Sequence, residues 1–222
     1  MHESRSVSPA SSQSRIACRE REAAEGPEYA HALLFTGHMI DRADRMQPRF
    51  PTSAEGRVRD AIRKAISAVT WTNPGSTIAL AGGASGGDLL FHECCEELGI
   101  ASRLLLPMPP PEFEAASVAP AGRAWVERFH ALLERAGPDR IQMMKREDGL
   151  RESDAANIWQ RASLWMIEEA VSIAAERALL ALWDGKAGDG PGGTAHLLAM
   201  ARQAGIGVLP VIPIQTLLDP ER

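Results

Sequence analysis

The chain of 222 residues carries a formal net charge of −5, with 45% hydrophobic and 24% charged residues. This composition is that of an ordinary globular protein, and the length suits one sizeable α/β domain. The chain is not strongly basic, so its net charge gives no overall reason to expect nucleic-acid binding. No apolar run reaches the roughly 18 to 20 residues of a membrane span.

The first 29 residues are predicted to be a disordered tail. They are rich in Ser, Arg, Glu and Ala and contain few large apolar side chains, so they cannot bury enough surface to offset the entropy of ordering. They also lack the apolar segment of about 7–15 residues found in secretory signals. The three cysteines, Cys18, Cys94 and Cys95, form no C-x-x-C pair. We therefore expect a cytoplasmic protein with a single domain over residues 30–222.

The first predicted strand, residues 32–36, runs into a turn at Gly37 and His38. The loop that follows, residues 39–53, is long for a strand-to-helix connection. Such a loop either contacts a ligand or forms solvated ion pairs. A helix with apolar residues at 3.6 spacing is predicted from Ser53. The loop's charged residues are Asp41, Arg42, Asp44, Arg45 and Arg49.

The central stretch, residues 77–98, reads TIALAGGASGGDLLFHECCEEL. It predicts a buried strand, a glycine turn over residues 82–87 and a helix that Gly99 ends. A helix that starts at the carboxyl end of a strand turns its first N–H groups toward the ligand crevice, which favours an anionic ligand. Asp88 caps this helix or binds a ribose or base. The spacing is neither G-x-G-x-x-G nor a P-loop, so close packing alone stays an alternative explanation of the glycines.

Further predicted elements follow in order. They are a strand at 102–107 that a proline run closes, a helix at 120–136, a strand at 141–144, and a helix from 153 or 154 to about 175. Asn157 and Trp159 lie in the first turn of that last helix. Trp159 either stacks on a base or covers an apolar seam.

A second glycine-rich connection, residues 184–194, joins a strand at 177–183 to a helix at 195–204, and a strand at 207–212 follows. The same strand, glycine turn and helix arrangement therefore occurs twice. This repetition predicts one cleft lined by two helix N-termini, which suits a phosphate or diphosphate. Thr194 can cap its helix and reach a phosphate oxygen.

Three motifs on successive strand-to-helix turns resemble the SLOG superfamily of Rossmann-like nucleotide-binding proteins. They are Thr36-Gly37-His38, the run from Gly82 to Asp88, and Trp183-Asp184-Gly185 followed by Pro191-Gly192-Gly193-Thr194. The run GGASGGD is similar to the G-x-A-x-G-I-D turn of the DNA-processing protein A family. The resemblance spans residues 32–212. It implies an α/β fold, a Rossmann-like three-layer sandwich with a mainly parallel central sheet.

The resemblance implies a sensor-type member that binds a nucleotide or nucleotide-derived ligand. Lonely Guy phosphoribohydrolases carry P-G-G-x-G-T-x-x-E, whose glutamate takes part in cleavage. Here the sequence runs PGGTAHLL, so that acid is absent and His196 is the only titratable residue directly after the turn. Two alternatives stay open: a nucleotide N-glycoside hydrolase that uses Asp41, Asp88 or Asp184, and single-stranded DNA binding.

We expect backbone and hydroxyl groups of the two turns to hold phosphates, the other polar residues to hold ribose or base, and Arg45 to close over the charge. No cofactor other than the nucleotide-type ligand is predicted, no His, Cys or carboxylate cluster has metal-ligand spacing, and the resemblance makes a homodimer the assembly to test. The predicted ligand-binding residues are Gly37, His38, Arg45, Gly82, Gly83, Ser85, Gly86, Asp88, Asn157, Asp184, Gly192, Gly193 and Thr194.

Overall fold

The computed structural model describes residues 27–69, 74–145, 155–186 and 192–218. The predicted disorder of residues 1–26, the polar loop before the long helix and residues 187–191 of the second glycine-rich connection therefore lie outside the described residues. The first strand begins at Tyr29, which the sequence assigned to the tail.

Seven strands form one sheet within the described residues, and every pair in it is parallel. The strand order is β4-β3-β2-β1-β5-β6, and β7 pairs with β5 beyond the short β6. The strands are β1 (Tyr29–Gly37), β2 (Thr77–Ala81), β3 (Ala101–Leu106), β4 (Ile141–Met143), β5 (Ala174–Trp183), β6 (Gly207–Val208) and β7 (Ile212–Pro213).

Helices connect the strands, as parallel pairing requires. The α-helices of the described residues are α1 (Glu55–Ser67), α2 (Gly87–Glu97), α3 (Pro110–Ser117), α4 (Arg123–Ala136), α5 (Ala155–Ile173), α6 (Thr194–Gln203) and α7 (Gln215–Leu218). None of these helices combines the length and apolar character needed to cross a bilayer.

The sheet is covered on both faces. Because successive side chains of a strand point to opposite faces, Leu33 and Phe35 of β1 join a core with α1, α2, α3 and α4. Ala32 and Leu34 join a second core with α5 and α6. The two cores and the parallel sheet confirm the predicted α/β three-layer sandwich.

The order of strands reverses direction between β1 and β5. From β1 the chain adds β2, β3 and β4 on one side, and then returns through α5 to place β5 on the other side of β1. In open α/β sheets, ligands bind in the crevice outside the carboxyl ends of the strands at such a switch point. The fold therefore positions a cleft above Gly37 and the end of β5.

Two elements differ from prediction. Helix α3 was not predicted, because the proline run was interpreted only as the end of β3; yet a proline suits the first position of a helix, where Pro110 lies. The predicted strand at 207–212 divides into β6 and β7, and Pro210, which lacks an N–H donor, lies between them.

Candidate functional site

A cleft of about 720 Å³ lies over the carboxyl ends of β1 and β2, with α6 and the loop after β1 at its rim. Both glycine turns contribute to its lining, through Gly82 and Asp88 of the first and Gly192, Gly193 and Thr194 of the second. This volume is in the range of small-molecule sites.

The first glycine turn is closed by its own hydrogen bonds. The Ser85 N–H donates to the Ser117 carbonyl and the Gly87 N–H donates to the His38 carbonyl, both at 3.0 Å. The Ala84 N–H donates to the Asp88 carboxylate at 3.3 Å. Of these N–H groups, that of Ser85 was predicted to bind phosphate, and it already has an acceptor in the protein.

Three predicted residues of this turn lie outside the cleft lining. Gly83 faces the core, where a Cβ would lie 2.9 Å from the Phe129 ring. Gly86 has a φ of +101° and passes so close to the loop after β1 that a Cβ would lie 2.4 Å from the Ile40 nitrogen. Ser85 is fully buried, and its Oγ has no hydrogen-bond partner among the described residues. Their geometry favours the packing explanation for these three positions.

Asp88 lies in the first turn of α2 and lines the cleft. Burial raises the pKa of its carboxyl to about 7, and the hydrogen bond from the Ala84 N–H opposes this only in part. No cationic side chain of the described residues forms an ion pair with it. Asp88 is therefore a carboxyl that can gain or lose a proton near neutral pH.

His92 supports the first turn from below. Its Nε2 lies 2.9 Å from the Gly82 carbonyl, and its Nδ1 lies 2.9 Å from the Ser102 hydroxyl. Because a carbonyl can only accept, Nε2 carries the proton and donates to Gly82. Burial lowers the pKa of His92 to about 4, so the ring is neutral. His92 is therefore a buried histidine whose two ring nitrogens both have hydrogen-bond partners.

The second turn leaves its helix end open. No side chain caps α6, and Gly193 before it is extended, at φ −79° and ψ −176°. The first N–H groups of a helix have no partner inside the helix, and Gly193 and Thr194 face the cleft. The Thr36 hydroxyl donates to the Thr194 hydroxyl at 3.4 Å. Among the described residues, no side chain accepts a hydrogen bond from the first N–H groups of α6.

Gly192 fixes the position of this turn. Its φ of +81° is open to glycine, and a Cβ there would lie 2.4 Å from the Trp159 carbonyl carbon. The Ser163 hydroxyl lies between two carbonyl oxygens, 3.0 Å from that of Trp159 and 3.3 Å from that of Gly192, and its one proton is shared between them. The turn is thus packed directly against α5.

Asp184, which directly follows β5, binds the loop after β1. The Arg49 guanidinium donates to both of its oxygens, at 2.8 and 2.9 Å, and the Lys186 N–H adds a further bond. Burial alone would raise the pKa of Asp184, but these donors lower it to about 2. Asp184 is therefore ionised, and it anchors the loop after β1 to β5.

His38 joins the same network. Its Nε2 lies 3.1 Å from the Asp184 backbone nitrogen and 3.2 Å from the Asp184 carboxylate. Burial, reinforced by Arg49, lowers the pKa of His38. The His38 ring that lines the cleft is therefore neutral near pH 7, and its Nε2 contacts Asp184.

The arginines of the loop differ in their engagement. Arg45, which the sequence selected, lines the cleft but lies 3.4 Å from Asp41 and donates to the Gln47 carbonyl at 2.9 Å. Arg42 also lines the cleft, is exposed, and forms no ion pair with the described residues. Of the loop arginines, Arg42 therefore gives up the fewest contacts with the described residues when it turns toward a ligand.

An aromatic wall faces these polar groups. Trp159 of α5 meets Phe113 of α3 edge-on, with ring centroids 6.1 Å apart, and both line the cleft. Phe113 was missed because α3 was missed, although Pro110 and Glu112 together mark a helix start. Trp165 and Met166 extend the apolar lining along α5.

The predicted site residues therefore separate into groups. Asp184 is not part of the lining but contacts His38 and Arg49, which are. The side chain of Asn157 lies outside the described structure. Those that line the cleft are Gly37, His38, Arg45, Gly82, Asp88, Gly192, Gly193 and Thr194. Among the described residues, no three His, Cys, Asp or Glu side chains converge as a metal-binding group.

No protein-family model matches this chain, and no curated protein matches it. Three chains of solved structures match, including a crystal structure of Streptococcus suis SuiB bound to S-adenosylmethionine. That similarity has 11% sequence identity and a TM-score of 0.25, and it covers 92% of this chain and 44% of the SuiB chain. This chain thus spans less than half the length of that one, and a TM-score this low carries no inference about ligand or fold.

Proposed function

We propose that this chain binds a nucleotide or nucleotide-derived anion in the cleft at the switch point, as a sensor-type member of the SLOG superfamily. The observation that carries the proposal is the meeting of three features in one cavity. They are the N-terminus of α6, which no side chain of the described residues caps, the cation of Arg42, which forms no ion pair with the described residues, and the aromatic wall of Trp159 and Phe113. Helix N-termini bind phosphates, and aromatic faces stack on bases.

The orientation of the ligand follows from these features. Its phosphate lies against the N–H groups of Gly193 and Thr194, within reach of Arg42. Its base lies toward Trp159 and Phe113, near Asp88. The first glycine turn then shapes the floor through Gly82 and contributes a carboxyl rather than a set of N–H donors.

A matched pair of variants at Thr194 tests the phosphate site. Thr194→Val removes the hydroxyl and keeps the N–H, whereas Thr194→Pro removes both. Proline suits this first helical position, and the extended Gly193 before it accommodates a following proline. We expect wild type to be stabilised against heat by at least one of AMP, GMP, ADP and ADP-ribose, and Thr194→Pro to bind that nucleotide about tenfold more weakly than Thr194→Val.

Equal affinities of the two Thr194 variants would remove the α6 N-terminus from the site. Failure of all four nucleotides to stabilise or bind wild type would contradict the proposed function itself. Each variant's melting temperature without nucleotide is the control, because a loss of fold would lower it.

Asp88 specifically favours a second candidate function, N-glycoside hydrolysis. A general acid works best with a pKa near the working pH, and Asp88 meets this condition whereas Asp184 does not. In that reaction water adds to C1′ as the C1′–N bond breaks, and the base leaves with the electron pair and the Asp88 proton. The proton that the water loses returns to the Asp88 carboxylate, which restores the acid. Free base released from AMP or GMP by wild type but not by Asp88→Asn would support it; its absence from the wild-type reaction would exclude it for these nucleotides.

A further inference from the structure

The two oxygens of Asp88 have different surroundings. Oδ2 accepts the Ala84 N–H at 3.3 Å and lies against Gly82, where a Cβ would come within 2.7 Å of it. Oδ1 has no protein partner among the described residues. The turn therefore holds the carboxyl by one oxygen and leaves the other to a cleft occupant.

No charged group of the described residues pairs with Asp88. His92, one turn along α2, is neutral and bonded to Gly82. Helices α3, α5 and α6 contribute no charged side chain to the described lining. The loop after β1 lies directly against the first turn, because the Gly87 N–H donates to the His38 carbonyl and the Ile40 N–H donates to the Ser85 carbonyl. Among the described residues, none of the charged or titratable groups of this loop forms an ion pair or a hydrogen bond with the Asp88 side chain; they are His38, Asp41, Arg42, Asp44, Arg45 and Arg49, with Asp184 bonded to Arg49.

A carboxyl in such surroundings is favoured in its neutral form, because burial penalises the charged form and no cation compensates it. With Oδ2 occupied by an N–H donor, the proton of the neutral acid lies on Oδ1. The free oxygen is then a hydrogen-bond donor, whereas an ionised carboxylate could only accept.

Building on the proposed nucleotide site, we propose that Asp88 meets the ligand as a neutral carboxylic acid and donates a hydrogen bond from Oδ1 to an acceptor atom of the ligand. The ligand therefore presents a lone pair at this point, as a ring nitrogen or a sugar oxygen does. Ligands that present only N–H or O–H donors at this point are rejected, because these groups would face the Asp88 Oδ1–H, which is itself a donor.

The consequence is binding that depends on pH. Only molecules in which Asp88 is protonated bind the ligand, so the apparent affinity falls in proportion to the protonated fraction. With half-protonation near pH 7, the affinity of wild type falls by about 30-fold between pH 6.0 and pH 8.5.

Calorimetric titration of AMP and GMP at pH 6.0 and 8.5 tests this inference, with wild type and Asp88→Asn compared. Asparagine keeps the acceptor for the Ala84 N–H and offers an N–H donor in place of Oδ1–H at every pH. We expect Asp88→Asn to bind about 30-fold more tightly than wild type at pH 8.5. Titration of the nucleotide phosphate, whose second pKa is about 6, affects both proteins alike.

Proton uptake, measured by repeating the titrations in buffers of different ionisation enthalpy, gives a second readout that needs only wild type. We expect uptake of about one proton per bound nucleotide at pH 8.5 beyond that of Asp88→Asn. Wild-type affinity equal at the two pH values, or Asp88→Asn no tighter than wild type at pH 8.5, would overturn the inference and leave the proposed function standing. Failure of wild type to bind either nucleotide at both pH values would overturn both.

Discussion

Asp88 shows how one side chain can couple the cleft to stability. Its folded-state pKa of about 7 lies above the value near 3.9 of an unfolded aspartate. The folded protein therefore holds a proton that the unfolded chain has released. The contribution of this group to stability is fully present below pH 4 and is lost as the pH rises through 7.

Above pH 4, ionisation of Asp88 in the folded protein lowers the free energy of unfolding of wild type. We therefore predict that Asp88→Asn removes this pH-dependent loss of stability. In the absence of nucleotide, the free energy of unfolding of the variant should exceed that of wild type at pH 8, by on the order of 4 kcal/mol, since the pKa of Asp88 differs by about three units between the folded and unfolded states. The difference should shrink as the pH falls toward 4, because the wild-type carboxyl then becomes neutral. Urea denaturation at pH 4, 6 and 8 measures it, and a difference independent of pH would contradict the prediction.

Single glycines could not be assigned to cleft or core from their local sequence. Gly82 and Gly83 are adjacent, yet Gly82 lines the cleft and Gly83 packs against Phe129 of α4. The partner that decides this lies more than forty residues further along the chain, so the local pattern carries no signal for it. The type of turn was predictable; which backbone N–H groups stay free was not.

At the scale of elements, the loop between β1 and α1 is held to the sheet by Asp184. Asp41 accepts the backbone N–H groups of Arg49 and Phe50, both at 2.8 Å, and thereby shapes the loop around Arg49. Arg49 then reaches Asp184 with both arms of its guanidinium. This chain of bonds places Arg42 and Arg45 at the rim of the cleft.

We predict that Arg49→Lys lowers the free energy of unfolding by about 1–3 kcal/mol, because lysine cannot reproduce the two parallel bonds to the buried Asp184. Arg59→Lys is the matched control: Arg59 pairs with Glu97 at an accessible surface, where we expect a change within about 0.5 kcal/mol. Denaturation at pH 7 measures both. Similar effects of the two variants would contradict a structural role for the Asp184 network.

The same network predicts a loss of stability in acid. A folded-state pKa of about 2 for Asp184 lies below its unfolded value, so its contribution is present above pH 4 and is lost as the pH falls toward 2. The destabilisation by Arg49→Lys should therefore shrink in that range, which acid titration of unfolding at fixed urea concentration would detect. An unchanged difference between the two proteins at pH 2.5 would contradict it.

Helices and strands with strong periodicity were predictable, and α2 is an example. Its apolar spacing indicates a helix, the glycines before it mark its start, and Gly99 marks its end. Helix α3 was obscured, since the prolines that end β3 also begin the helix. This omission removed Phe113 and Ser117 from the predicted site.

At the scale of the whole molecule, the α/β class followed from the length and the alternating strand and helix patterns, and the three-layer sandwich with a mainly parallel sheet followed from the family resemblance. The placement of β5 beside β1 did not, because parallel pairing over about 150 residues leaves no local mark. That pairing creates the switch point and brings the two glycine turns, about a hundred residues apart, to one cleft. The proposed function depends on this long-range arrangement more than on either motif.

The central claim is that both turns hold one ligand, and amide NMR during titration of wild type with AMP tests it most directly. We predict that the N–H signals of Ala84 and Asp88 in the first turn, and of Gly193 and Thr194 in the second, shift together with a single dissociation constant. Shifts confined to one turn, or two groups of shifts with different dissociation constants, would contradict the account.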